Sequence, residues 1–416
     1  MDRHANPYTP GAGARPPLLA GRDAELDDFR VAFERLGAGQ FARSFVLDGL
    51  RGVGKTVLLN EADVMAREQG WISSGVVECN EDDELPLLMA RLCHRALRRL
   101  SFGNRVSSRV QRALGVLRAF TFAMDERGVW KFKIDAEAVK GVADSGDPET
   151  DIVELLAEVG AAASQHGSGA AFFLDELQFI GKGSMALLAA AMHGISQQNA
   201  PVLLLGAGLP QLPLMLKNAK PYTERLFEFR TIGGLPRATA AAALTVPAER
   251  LGARYQRTAL DLILDQTEGY PHFLQQWGET IWREADGPTI TASDARVAEE
   301  LVNDELDRRF FRDRYEKATE AEAIYMAAMA DLGDGRHSSS EIAAHMGMAQ
   351  KELSVRRAAL IDKGLVYNPV GSQLDFTVPQ FAAYLRRIHP FDPTQRPRRG
   401  RPRAVPRGRS QVKNGF

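Results

Sequence analysis

The stretch DGLRGVGKTV at residues 48–57, set between the apolar run FVL and the pattern VLLNEADVMAREQG, constrains the fold more than any other part of the chain. From Gly49 to Thr56 it fits G-x-x-x-x-G-K-[ST], with a strand before it and a helix after it. Glycines let the backbone curl so that successive N–H groups point at one anion, which a Cβ would obstruct. The helix that begins near Lys55 aims the positive end of its dipole at the same place. Gly49, Arg51, Gly52, Val53, Gly54, Lys55, Thr56 and Val57 are therefore the candidate phosphate-binding residues of a nucleotide site. Lys55 would reach the β- and γ-phosphates, and the Thr56 hydroxyl would ligate Mg²⁺.

Residues 171–176, AFFLDE, supply the partner such a loop needs. An apolar strand ending in Asp175 puts that carboxylate at the C-terminal edge of a sheet, beside the loop, where it can hold Mg²⁺ through water. Glu176, the next residue, is placed to orient and deprotonate a water attacking the γ-phosphate. An acidic strand end facing solvent is the plainer alternative. A paired Asp-Glu favours hydrolysis over passive binding, since Asp175 alone would serve the metal.

A chain of 416 residues exceeds one ordinary core, and 44% hydrophobic with 25% charged residues fits soluble globular domains. Leu26, Phe29, Phe33 and Leu36 recur at helical spacing, with Gly37 and Gly39 closing that helix. Ser44–Leu47, Val76–Val77 with their neighbours, AAFFLDE, Pro201–Leu205 and Leu226–Thr231 read as strands. Lys55–Gln69, Leu85–Leu100, Ile152–Gln165 and Met185–Gln197 read as the helices between them. The alternation predicts an α/β fold, a P-loop NTPase parallel sheet sandwiched by helices. After Gly233 the strand signal disappears, and residues 237–305 read as all-helical. The expected division is a flexible arm at 1–17, a nucleotide domain at 18–235 with an insertion at 101–150, and a helical lid domain at 236–318. A C-terminal domain at 319–388 and a disordered basic tail at 389–416 follow. Cys79 and Cys93 make neither a disulfide framework nor a zinc site, and they fit a reducing cytoplasm. No apolar run is long enough to span a bilayer, and the N-terminus has no signal-peptide h-region.

Ser338-Ser-Ser-Glu341 is a capping box opening a short helix, Gly347 makes a turn, and Gln350–Lys363 forms a second helix. A hairpin built from Gly364-Leu-Val-Tyr and Leu374-Asp-Phe-Thr-Val completes the order of a winged helix-turn-helix. With Leu353, Leu360 and Ile361 toward the core, Gln350, Lys351, Ser354 and Arg357 would project toward a DNA major groove. Many such modules serve instead as packing or protein contacts. The tail carries seven arginines and one lysine against Asp392 over residues 391–416, close to +7, while the remaining 44 basic and 52 acidic residues leave the body near −8. That asymmetry implies an anionic partner for the tail. Within RPRRGRPR at 396–403, Arg399-Gly400-Arg401-Pro402 resembles an AT-hook core. Arg399 and Arg401 would then enter the narrow minor groove of A·T-rich DNA. A generic basic tail would bind phosphates without that preference.

GRDAEL at 21–26, the phosphate loop, LDEL and the C-terminal winged pattern together resemble the AAA+ ATPases of the origin-recognition type. They are also similar to the archaeal-type and STAND signalling ATPases. The likeness covers roughly residues 18–385, and 101–150 contributes nothing to it. It implies ATP with Mg²⁺ as cofactors and places Gly21, Arg22 and Asp23 near the adenine. Pro236 and His272, at the starts of two lid helices, become the lid's nucleotide-facing candidates. TERLFEF at 223–229 resembles the segment bearing an arginine finger, with Arg225 first and Arg230 in reserve. Such a finger works between subunits of a homo-oligomer, although a surface arginine paired with Glu224 or Glu228 fits the same pattern. Two departures stand out: LLLGAGLP at 203–210 offers only backbone where a polar phosphate sensor is usual, and His272 replaces a sensing arginine. Both point to a slow switch. The leading expectation is an ATPase that binds ATP or ADP and double-stranded DNA in the cytoplasm, with no membrane. The alternative is a STAND-like signalling ATPase whose winged helix packs internally and whose partner is a protein. A third possibility is a nucleotide-binding regulator with neither DNA affinity nor appreciable turnover.

Overall fold

Five strands form one sheet in the computed structural model, the inner three buried throughout and the two edge strands only in part: β1 (Ser44–Asp48), β2 (Ile72–Glu78), β3 (Ala170–Asp175), β4 (Val202–Gly208) and β5 (Phe227–Thr231). All pairings are parallel, in the order β2-β3-β4-β1-β5. The structure describes residues 1–395 except 82, 101–106, 126–129, 131, 166 and 370, so Arg399 and Arg401 lie outside the described residues. Two compact units divide the chain, 1–300 and 301–416.

In the first unit, α1 (Asp23–Gly37), α2 (Lys55–Glu68), α3 (Leu85–Leu100), α4 (Ser108–Met124), α5 (Pro148–Ser164), α6 (Lys182–Gln197), α7 (Leu212–Ala219) and α8 (Thr223–Leu226) accompany the sheet. Strand residues alternate between its two faces. Val46, Phe172, Leu174 and Leu204 join a core filled by α3 to α6, whereas Phe45 meets Phe29 of α1 edge to face at 5.0 Å. The 101–150 insertion is no appendage, since Leu117 and Phe120 of α4 are fully buried in that core. Gly115 of α4 lets the chain return closely, because a Cβ there would lie 2.4 Å from the Glu137 carbonyl oxygen. Chain order jumps at β1, which sits between β4 and β5. The turn after β1 therefore opens at a topological switch point on the C-terminal edge. Register puts Asp48 opposite Gly208 and Leu174 opposite Gly206, so Asp48 and Asp175 end at that edge together.

The same unit continues into α9 (Arg237–Arg250), α10 (Arg257–Thr267) and α11 (Pro271–Glu284). The all-helical reading of this region needs one correction. Two-residue strands β6 (Arg254–Tyr255) and β7 (Thr289–Ile290) pair in parallel there, too short to show any periodicity. The arm at 1–17, expected to be flexible, is tied down along its length. Tyr8 is buried over Gly278, its hydroxyl donates to the Leu244 carbonyl at 2.5 Å, and Asn6 Nδ2 donates to the Glu279 carbonyl at 3.0 Å. Further on, Arg15 pairs with Glu61 of α2 at 2.8 Å. The helix α12 (Ala292–Glu305) crosses the division between the units.

The second unit holds α13 (Arg312–Tyr315), α14 (Glu320–Asp331), α15 (Ser339–His345), α16 (Gln350–Asp362) and α17 (Phe381–Ile388). Strands β8 (His337–Ser338), β9 (Val366–Tyr367) and β10 (Gln373–Phe376) form an antiparallel sheet with β10 in the middle. Ser338 and Glu341 make the reciprocal capping box that opens α15. Tyr384 of α17 stacks on Phe311 at 5.2 Å and on Phe381 at 5.7 Å. Among the described residues, no helix is long and apolar enough to cross a membrane.

Candidate functional site

The loop after β1 takes its shape from glycines in backbone regions that other residues avoid. Gly52 and Gly54 have φ of 88° and 96°, and a Cβ on Gly49 would lie 2.2 Å from the Ile232 carbonyl oxygen. Gly54 immediately precedes α2, so the first N–H groups of α2 open into the loop. Lys55 is buried, and its Nζ donates to the carbonyls of Gly49 and Leu50, each at 2.9 Å. Burial pulls its pKa down to about 8, against the upward pull of Glu176 and Asp175. Val53 is buried and packs beneath the loop against the Gly49 side, so its side chain fills space. Val57 is half-buried on α2.

Thr56 Oγ1 donates to Asp175 Oδ2 at 2.5 Å, which brings the start of α2 and the end of β3 together. Desolvation raises the Asp175 pKa despite that hydrogen bond. Two hard oxygen donors beside a phosphate loop fit Mg²⁺, which takes few protein ligands and completes its shell with phosphate and water. Glu176 follows in the left-handed region, φ 51° and ψ 38°, a conformation costing a non-glycine residue on the order of 1 kcal/mol. Its Oε1 accepts from Arg51 Nη1 at 3.2 Å, and its Oε2 accepts from Gln178 Nε2. Asp175 and Glu176 at the end of β3 thus meet Thr56 and Arg51 of the loop at one edge.

Arg22 is also drawn in. Its Nη2 donates to the Val53 carbonyl at 3.2 Å and the Gly233 carbonyl at 2.6 Å, bracing the loop against the segment after β5. Burial lowers its pKa below the usual arginine value. From the lid, the His272 N–H donates to the Gly52 carbonyl at 3.2 Å, and Leu235 N–H donates to the Gly269 carbonyl at 2.8 Å. The second bond ties Leu235 to the turn before α11, and the adjacent Pro236 stands at the N-cap of α9.

Arg225 and Arg230 are placed differently. Arg225 is exposed on α8, just before β5 begins opposite Ser44, at the edge of the sheet away from the loop. Arg230 is committed, with Nε and Nη2 on Asp28 Oδ2 at 3.0 and 2.8 Å and Nη1 on Glu228 at 2.8 Å.

Three features escaped the sequence reading. Asp48 is buried at the end of β1, accepts from Thr231 Oγ1 at 3.1 and 3.2 Å, and is pushed up to about 6 by burial. Gln178 lies over the end of β4, where only backbone was expected. Gly13 of the arm approaches Thr56 and Asn60 of α2. An aspartate closing an apolar run was a visible signal for Asp48; the other two have none in their local sequence.

In the second unit, Gln350, Lys351 and Ser354 are exposed on α16, and Ser354 Oγ donates to the Lys351 carbonyl at 2.8 Å. Arg357 differs from expectation: it is half-buried, with Nη1 donating to Ser339 Oγ at 3.1 Å. Together with Tyr325, these residues border a cavity of about 300 Å³.

Residues 18–205 match the family model described as an AAA ATPase domain, and residues 308–385 match one described as a domain of unknown function. No curated protein matches the chain. Among solved structures, the Walker-type ATPase of Pyrococcus abyssi is similar at 16% identity and a TM-score of 0.50, over 88% of this chain and 96% of that one. The Aeropyrum pernix Orc1 protein, solved in complex with DNA, matches at 16% identity and a TM-score of 0.45, over 90% and 94%. The Thermotoga maritima RuvB Holliday junction branch migration motor matches at 14% and 0.43, over 88% and 95%. The first of these likenesses is one of fold.

Proposed function

Residues 18–205 of this chain are an AAA ATPase domain, and from that premise we propose that the protein hydrolyses ATP slowly as a switch and binds double-stranded DNA through its C-terminal unit. The observation that carries the hydrolytic part is the meeting of Thr56, Asp175 and Glu176 at the mouth of the loop. Loop N–H groups from Gly52 to Thr56 bind the phosphates, and Lys55 exchanges its two backbone carbonyls for phosphate oxygens. Thr56 and Asp175 would hold Mg²⁺, which when bound neutralises charge on the phosphates. Glu176 orients the water and takes its proton. Each of its oxygens already accepts one hydrogen bond, from Arg51 and from Gln178, which restrains the carboxylate against turning toward the water and supports slow turnover. His272, standing where a phosphate-sensing arginine is usual, lacks that residue's forked donors and supports it further.

The DNA part rests on the order α14, α15, α16 and the β9–β10 hairpin, which we read as a winged helix-turn-helix. Exposed Gln350, Lys351 and Ser354 on α16 and the arginine-rich tail supply donors and positive charge. Arg357, turned onto Ser339, favours the second reading, a signalling ATPase whose C-terminal unit meets a protein.

The test is turnover of the wild type and Glu176→Gln, each with and without duplex DNA. A DNA stimulation lost in the variant supports both parts. An electrophoretic shift in ATP and in ADP, repeated on a chain ending at Arg387, assigns the tail's share. Full-length protein that ignores DNA in both nucleotides hands the C-terminal unit to the signalling reading.

A further inference from the structure

Gln178 is buried, and both ends of its amide are used. Its Oε1 accepts the Leu209 N–H at 3.1 Å, and its Nε2 donates to Glu176 Oε2. The two bonds fix the orientation of the amide: an N–H at Leu209 needs an oxygen facing it, which leaves the NH₂ for the carboxylate. This one side chain therefore joins the end of β4 to Glu176.

The glycines of β4 explain how it fits. A Cβ on Gly208 would lie 2.6 Å from Gln178 Oε1, and one on Gly206 would lie 2.9 Å from Leu177 Cδ2. Residues 206 and 208 share a face of the sheet, since side chains alternate along a strand. That face lacks side chains because Leu177 and Gln178, in the turn after β3, occupy the space. The polar group missing from β4 itself is delivered from the neighbouring strand.

We propose that Gln178 is the positioning residue for Glu176, holding Oε2 so that Oε1 is aimed at the attacking water. This rests on the hydrolytic reading above. A γ-phosphate in the loop offers Arg51 a second anion and loosens its bond to Oε1, while Gln178 keeps Oε2 anchored at β4. The water then passes a proton to Glu176 Oε1 as its oxygen bonds to the γ-phosphorus. The bond from that phosphorus to the bridging oxygen breaks, and the oxygen leaves with ADP.

Gln178→Glu removes the donated bond when both carboxylates are ionised. It preserves size and still accepts from Leu209 N–H, and because two adjacent carboxylates repel or share a proton, its kcat is read across pH and beside the uncharged Gln178→Met. The expected result is a fall in kcat of about 100-fold, the range for a misplaced general base, with KM and the calorimetric Kd for Mg·ATP within about twofold of wild type. In a Glu176→Gln background the same substitution should add no further loss, because Gln178 acts through Glu176. Thermal melting of each variant confirms a folded protein, and Gln178→Met, equally long and without polar atoms, should show the same kcat loss. Wild-type turnover matched by Gln178→Glu, a rise in KM with kcat unchanged, or an additive loss in the double variant overturns this inference and leaves the hydrolytic reading standing. A wild type that binds Mg·ATP without turning it over overturns both.

Discussion

Thr56 and Asp175, 119 residues apart in sequence, share a hydrogen bond of 2.5 Å at the C-terminal edge of the sheet. The bond brings two metal-compatible oxygens together while burying a carboxylate whose pKa is raised by its surroundings. Function and stability therefore pull in opposite directions at Asp175. Asp175→Asn keeps an acceptor for Thr56 and removes the buried charge. We expect a higher melting temperature without nucleotide, together with a rise of about 10- to 100-fold in the Mg²⁺ needed for half-maximal turnover. Thermal melts and Mg²⁺ titrations of ATPase rate check the two arms. A variant with lower melting temperature and unchanged Mg²⁺ demand contradicts the assignment.

Tyr8 joins the N-terminal arm to the lid through its ring over Gly278 and its hydroxyl, which also meets Tyr255 at 2.9 Å. Removing a buried aromatic side chain costs about 3–5 kcal/mol. Tyr8→Ala should therefore destabilise the first unit by about that amount in urea unfolding. Gly278→Ala, whose Cβ would lie 2.5 Å from the ring, should also destabilise it. The double variant should lose less than the two losses added, because both break one contact. Near-wild-type stability for Tyr8→Ala would mean the arm is dispensable.

The arm also shows where sequence reading stops. Its Pro- and Gly-rich composition reads as loose chain, yet its partners are backbone carbonyls at Leu244, Glu279 and Ala285 that no local pattern reveals. The phosphate loop and Asp175-Glu176 were legible because their chemistry needs particular residues at fixed local spacing. The helix Leu85–Leu100 was legible from end to end through its apolar stripe. Strand β2 begins earlier than its valines suggest, because Ser73 finds a partner in Asp63 and can be buried. Helix α5 starts at Pro148 because Asp147 caps the Thr150 N–H at 3.0 Å. Gln178 was hidden because its meaning depends on a backbone N–H at Leu209 and on two glycines that make room.

Asp48 links the site to pH. Burial lifts its pKa from 3.8 to about 6, with Thr231 and Lys55 pulling the other way. Between about pH 4 and pH 6 the unfolded chain gives up this proton before the folded one does. Stability from this group is therefore present at low pH, falls across that window and levels off above it. A shift of this size corresponds to on the order of 2–3 kcal/mol. Asp48→Asn, which keeps an acceptor for Thr231, should be more stable than wild type at pH 7 and nearly equal to it at pH 4. Urea midpoints at the two pH values measure this, and a difference that does not change with pH refutes it.

Arg225 is the remaining cation to place. Its neighbours in sequence are engaged elsewhere, Glu224 with Lys217 at 2.5 Å and Glu228 with Arg43 at 3.1 Å and Arg230 at 2.8 Å. Among the described residues Arg225 itself makes no ion pair and is exposed. It stands at the edge where β5 begins, a strand length of about 13 Å from the loop at the other edge. From there it is far from the loop of its own chain, so a role for Arg225 as an arginine finger needs a second copy of the chain. Arg225→Ala should leave Mg·ATP binding intact and lower turnover about 10³-fold at protein concentrations that favour assembly. Mixing it with Glu176→Gln should restore activity, since an interface between the two variants pairs an intact Glu176 in one copy with an intact Arg225 in the other. Arg230→Ala, which breaks a surface pair, should cost under about 1 kcal/mol of stability and spare turnover. Two inactive variants that stay inactive when mixed, with assembly confirmed by sedimentation, would remove Arg225 from the reaction.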